Sequence, residues 1–122
     1  MPVVSIRALP QPGLDVKAAA TRIAAAIAHA GGLPPQDIWI AWTGIAAGHY
    51  VIVDDAPATQ PQETHPPLVE ISSTPRPVET SEAMMLAAAE AVAAELGISD
   101  KNVRVLYAEI PKRRLYSRGR YQ

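Results

Sequence analysis

Two stretches of this chain superpose without a gap at a constant offset of 65 residues, and no other feature limits the fold as much. Pro2 falls on Pro67, Val4 on Val69, Ile6 on Ile71, Pro10 on Pro75, Pro12 on Pro77, Gly32 on Gly97 and Ile45 on Ile110. Alanine coincidences are cheap in so alanine-rich a chain. The proline, glycine and strand-residue matches are not, so whatever one copy folds into, the other is expected to fold into as well.

Each copy reads as strand, helix, strand. Residues 2–8 are apolar and β-branched, which suits a strand. Residues 15–30 carry Val16, Ile23 and Ile27 at helical spacing, with Asp15 near the start and Gly31–Gly32 as a stop. Residues 37–45 read as a second strand, and residues 48–53 as a turn and a further short strand. Residues 54–66 hold prolines and small or polar residues and read as a linker. The pattern then restarts. It gives a strand over 67–73, a helix over 79–96 with Met85, Ala88, Val92 and Leu96 on one stripe, and a strand over 102–110. The expected architecture is one α+β domain made of two pseudo-repeats, 2–53 and 67–122. Their four strands form a mixed sheet, parallel within each β-α-β unit, with both helices on one face. Strand 37–45 adds a demand of its own. Ile38, Ile40 and Trp42 point one way, while Trp39 and Ala41 point the other and are also apolar. Both faces of the sheet want cover, so a homo-oligomer is expected.

Composition removes several classes of function. A formal net charge of −1 gives no basic footprint for nucleic acid. The one cluster, Lys112, Arg113, Arg114, Arg118 and Arg120, reads as a solvated surface or as an attractor for a small anionic substrate. With no cysteine, neither a disulfide framework nor a thiolate metal site is possible, which fits a reducing cytoplasm. No signal-peptide pattern and no membrane-length apolar run are present, so a soluble cytoplasmic protein is expected. His29, His49 and His65 lack metal-ligand spacing and are expected at the surface. Met84 and Met85 are expected in the core. No phosphate loop and no catalytic Ser-His-Asp order is found.

A Met-Pro start, followed at once by a strand and a repeated β-α-β unit, resembles the tautomerase superfamily over nearly the whole chain. Residues 37–53, with the step Gly48-His49-Tyr50, look like the second strand and hairpin of 4-oxalocrotonate tautomerase subunits. Two such subunits fused by a linker would give this length. Fused members include malonate semialdehyde decarboxylase and the cis-3-chloroacrylic acid dehalogenases. The segment Thr74-Pro75-Arg76 and the tail 115–122 resemble the decarboxylase. The resemblance implies trimers of fused chains and catalysis at the N-terminal proline without a cofactor, on a small anionic oxoacid.

Removal of Met1, expected because residue 2 is small, would make Pro2 a secondary amine. An α-amine titrates near ~7.7–8.0, and an apolar pocket lowers that value. A neutral amine can take a proton alpha to a carbonyl and return it elsewhere. The competing reading is that Pro2 merely opens an edge strand, where its missing N–H costs nothing. If Met1 stays, Pro2 is an amide and no base. Pro67, an internal amide, cannot titrate in any case. The resemblance points to Arg76 and Arg104 as catalytic arginines that hold a carboxylate, against a plain surface role for each. In the first copy, Trp39 stands where Arg104 stands in the second. Arg7 is a further candidate for the substrate site. Tyr50 matches an aromatic pocket wall, or packs in a hairpin. Asp37, in Pro34-Pro35-Gln36-Asp37, matches a water-activating or proline-orienting aspartate, or is a turn residue before a strand.

The activity expected is a keto–enol tautomerase or isomerase acting on a 2-hydroxy-dienoate or enol acid. A lyase or hydrolytic dehalogenase on a three-carbon acid, with a cationic Pro2 as acid, is the second reading. A purely structural or binding module is the third.

Overall fold

A computed structural model describes residues 1–122. β1 (Val3–Ala8), α1 (Val16–Gly31) and β2 (Trp39–Gly44) form the first unit, and β3 (Leu68–Ser73), α2 (Val78–Leu96) and β4 (Arg104–Glu109) form the second. The sheet runs β2-β1-β3-β4, parallel within each unit and antiparallel where β1 meets β3. Both helices pack on one face of this mixed sheet, so the α+β architecture expected from the repeat is the one observed.

The repeat extends to single hydrogen bonds. Trp39 N–H donates to Pro2 O and Arg104 N–H to Pro67 O, both at 3.1 Å. Ile45 N–H donates to Ala8 O and Ile110 N–H to Ser73 O, both at 2.7 Å. In the central antiparallel pair Ser5 faces Glu70, its own repeat counterpart, so a local two-fold axis passes between them.

Strand alternation divides the sheet residues. Val4, Ile6 and Ala8 of β1, with Val69 and Ile71 of β3, are buried against Ile23 and Ile27 of α1 and Met84, Ala88 and Val92 of α2. The residue at the core of α2 is Met84; Met85 is only partly buried. Positions 84, 88, 92 and 96 keep the i, i+4 spacing of one helix face. The opposite sheet face carries Val3, Ser5, Arg7, Trp39, Glu70, Arg104 and Leu106, and no helix covers it; only the tail hairpin reaches its Trp39 corner.

Local chemistry sets the helix ends. The Asp15 carboxylate accepts the Ala18 N–H at 3.2 Å and caps α1. Gly32 and Gly97, repeat mates, close the two helices in the left-handed region at φ 65° and 67°. A side chain at such a position is strained, so Gly97→Ala is expected to cost ~1 kcal/mol, read as a lower urea midpoint with an unchanged slope.

One ion pair joins the helices. The Arg22 guanidinium donates to both Glu95 carboxylate oxygens. That hydrogen bond holds the Glu95 carboxyl below its ordinary value. A depressed carboxylate stabilises the fold above the ordinary pKa of 4.5 and stops doing so as pH falls through the folded value. The Tm gap between wild type and Glu95→Gln should therefore be small at neutral pH and should close on acidification below that value.

Two segments differ from the sequence expectation. Residues 48–53 do not form a strand: they make one bridge, Ile52 to Asp55, around Val53 at φ 61°. Gly48 N–H donates to Pro57 O in the linker, and beyond the single bridge no strand ladder forms alongside this segment. The linker in turn is packed. His65 is 1% exposed, with Nε2 2.9 Å from Asp55 O and Nδ1 3.2 Å from Thr64 Oγ1, and is not at the surface. Gln60 donates to His65 O, and Asn102 donates to Pro61 O and Thr64 O. These side chains satisfy the backbone groups that a buried loop would otherwise leave unpaired. The tail adds a hairpin that the strand reading did not include, β5 (Tyr116–Ser117) with β6 (Arg120–Tyr121).

Candidate active site

The strand register places the candidate residues at two ends of the open sheet face. Pro2 is fully buried and precedes β1. Its carbonyl holds Trp39, so Trp39 and the 3-10 turn Pro35–Asp37 that presents Asp37 lie at its end. β3 runs antiparallel, with Ser72 opposite Val3, which brings the C-terminal end of β3 alongside as well. There Arg76 Nε donates to Ser73 Oγ at 3.3 Å. The Thr74 backbone carbonyl accepts the Tyr107 hydroxyl, 3.4 Å away. The Pro2 end therefore gathers Asp37, Trp39 and Arg76.

Arg7, Arg104 and Tyr50 lie at the other end, beside Pro67. Arg7 pairs with Leu68, and Leu68 pairs with Arg104. Four residues of strand, about 13 Å, separate Arg7 from Val3. Arg7, Arg104, Ser5, Thr43 and Glu70 line a cavity of about 330 Å³ on the open face. Tyr50 donates its hydroxyl to Pro66 O at 3.0 Å and meets the His65 ring edge-on at 5.0 Å. Burial pushes the Tyr50 phenol above its ordinary pKa, and the charges of Arg104 and Arg7 oppose that rise. Tyr50 therefore both packs against the linker and faces the arginine cluster. Within one chain, the structure does not bring Arg7, Arg104 or Tyr50 to Pro2.

At the Pro2 end a second cavity, about 280 Å³, is bounded by Met1, Val3 and Trp39 on one side and by the tail hairpin on the other. Arg118 lies over the Trp39 ring, 5.9 Å from its centroid, within cation–π range. Tyr116 and Tyr121 stack edge-on across the hairpin. The basic cluster was visible in the sequence, but its placement was not. The available signal was Arg118-Gly119 between two tyrosines, a two-residue turn flanked by an aromatic pair.

No three His, Asp or Glu side chains are grouped so as to hold a metal ion, and no helix is long and apolar enough to cross a membrane. No protein-family model and no curated sequence matches the chain. Solved structures do match. A fused 4-OT described as a symmetric trimer superposes with a TM-score of 0.81 at 23% identity, covering 98% of this chain and 94% of that one. The chain has the tautomerase fold. Malonate semialdehyde decarboxylase matches at 0.72 and 19% identity over 97% of this chain and 92% of its own. A member of the cis-3-chloroacrylic acid dehalogenase family matches at 0.70 and 17% identity, covering 98% of this chain and 82% of that one. One tautomerase scaffold thus carries proteins named for tautomerase, decarboxylase and dehalogenase chemistry.

Proposed function

We propose that this chain is a tautomerase-superfamily enzyme, a cofactor-independent isomerase of a small enol acid or 2-hydroxy-dienoate, with Pro2 as its proton-transfer group. The observation that carries this reading is the position of Pro2. It is buried at the start of a central strand of a tautomerase fold, beside a cavity with unpaired arginines. Loss of Met1 turns its amide into a secondary amine at the cavity wall. Apolar surroundings disfavour the charged amine, so a neutral base at pH 7 is favoured. That base takes the proton of the enol hydroxyl and delivers a proton to carbon, giving the keto acid. Arg76 is placed to hold the carboxylate or the developing oxyanion, which lowers the barrier most where charge grows in the transition state.

Arg104 can serve Pro2 only from a second copy of the chain, because its own copy holds it at the far end of the sheet. The open face, which exposes Trp39 (43%) and Val3 at one edge and Leu106 on the opposite edge strand, supports assembly of copies through this face. A homotrimer is the assembly we propose, as in the fused 4-OT trimers.

Asp37 at the Pro2 end favours a second reading. A carboxylate there could activate water while a cationic Pro2 acts as acid, giving a lyase or dehalogenase on a three-carbon acid. The pH–rate profile of Met1-free protein separates the two. With phenylenolpyruvate as substrate, kcat/KM that rises as a group near or below pH 7 deprotonates supports the isomerase. No ketonisation, together with turnover of a three-carbon acid that is lost as a group near pH 9 deprotonates, supports the second reading.

A further inference from the structure

The C-terminal hairpin is short, but its turn is unusual. Ser117-Arg118-Gly119-Arg120 closes β5 on β6 with Arg118 at φ 54° and Gly119 at φ 79°. Positive φ at both central positions is the type I′ hairpin turn, which favours Asn-Gly or Gly-Gly. An arginine at the first position is strained, and local strain of this kind often marks a functional demand. The strain coincides with placement. The Arg118 guanidinium sits over Trp39, and Arg118, Arg120 and Tyr116 wall the same cavity that Met1 enters. Neither arginine is ion-paired; the chain's one salt bridge is Arg22–Glu95.

The repeat explains what the hairpin adds. In the second copy the first residue of the edge strand is Arg104, whereas in the first copy it is Trp39. The first copy's own strand therefore presents an indole where its mate presents a guanidinium. The hairpin returns a guanidinium to that place from the tail. Its counterpart at the Pro67 end is the Ile52–Asp55 bridge around Val53 at φ 61°, where Val53 and Asp55 stand in place of Arg118 and Arg120, so the two ends differ in charge rather than in backbone.

We infer that the 116–121 hairpin is an anion-binding lid over Pro2, with Arg118 and Arg120 holding the carboxylate of the substrate against Trp39. The inference rests on the proposed role of Pro2 for its catalytic meaning, but its binding site exists without it. A planar carboxylate accepts two parallel N–H bonds from a guanidinium, and that geometry fixes the acid end of the molecule. The carbon skeleton then points from the hairpin toward the Pro2 nitrogen once Met1 is gone. Arg118 and Arg120 are thus specificity residues for the acid, distinct from Arg76 on the β3 side.

The test uses the whole Met1-free chain and malonate, an unreactive dicarboxylate. Malonate is titrated while the Trp39 indole N–H and Arg118 Nε–H signals are followed by NMR. The double variant R118N/R120Q removes both charges but places asparagine where the I′ turn prefers it, so the hairpin should hold and Tm should not fall. The expected result is at least a tenfold rise in malonate Kd, with partial recovery in R118K. Malonate affinity within twofold of wild type in the folded double variant would overturn the lid. A separate measurement, Pro2 alkylation by 3-bromopyruvate read by mass, isolates the catalytic premise. If malonate binding needs both arginines while Pro2 stays unlabelled, the lid stands and the Pro2 reading fails. If Pro2 is labelled equally fast in R118N/R120Q and wild type, and malonate binding is unchanged, the lid fails and the Pro2 reading stands.

Discussion

Protein whose Pro2 amine is free should ketonise phenylenolpyruvate, and the same chain with Met1 still attached should lose ~10²–10⁴-fold in kcat/KM. That range is roughly 3–5 kcal/mol of activation barrier. The effect is large because Met1 does two things at once. Its peptide bond removes the basic lone pair of the Pro2 nitrogen, and its side chain enters the cavity beside Trp39 and the tail hairpin. Intact mass assigns each preparation to one form, and rates are compared at equal protein concentration. Unchanged turnover with Met1 retained would refute Pro2 as the proton-transfer group. A loss in KM alone, with kcat preserved, would mean that Met1 only obstructs the cavity.

The largest stability effect is expected at the centre of the sheet. Ile71 is fully buried on β3, pairs with Val4 across the central antiparallel ladder, and belongs to the same core as Ile6. Ile71→Ala should cost about 2–5 kcal/mol, the range for a large aliphatic truncated in a packed core. Urea unfolding reads it as a lower midpoint at fixed protein concentration, since assembly would add concentration-dependent stability. Ile6, the repeat mate of Ile71, should cost a similar amount when truncated. The double variant should depart from the sum of the two, because both residues line one core. A cost below ~1 kcal/mol for either would mean that this core is not the one holding the sheet together.

How far these features could be read from the chain depended on whether they were local. The repeat was legible because prolines, left-handed glycines and β-branched strand residues answer local backbone demands, and those recur at Pro2 and Pro67 and at Gly32 and Gly97. Strand parity was legible for the same reason, since Ile40 and Trp42 turn to the helix side and Trp39 and Ala41 to the open face. The burial of His65 was not, because it depends on a carbonyl from Asp55 and a hydroxyl from Thr64 that only the folded linker supplies. The absence of a strand over 48–53 was not legible either. Val51 and Ile52 have strand composition, but pairing is a property of two segments and the only partner here is the single Asp55 bridge. The division of Arg76 from Arg104 and Arg7 follows from the antiparallel β1–β3 register, which no single segment encodes.

The clamped linker has a consequence for partner choice. Two unlike β-α-β units made as separate chains could pair with copies of themselves as readily as with each other. Some sheets would then carry two copies of Pro2 and others none. A tether makes the mixed pairing intramolecular, with an effective concentration of the order of millimolar for a short connection. Here the tether is also fixed along its length by His65, Gln60 and Asn102, while Val53 at its start is 96% exposed. A nick at Val53 would sever the covalent link but leave the β1–β3 ladder and the Gln60 N–H to Pro10 O bond joining the two pieces. The two pieces should therefore remain together at first and exchange partners only as fast as the sheet opens. The linker thus guarantees composition: every sheet receives one Pro2 half and one Arg104 half, whatever the concentration of the protein.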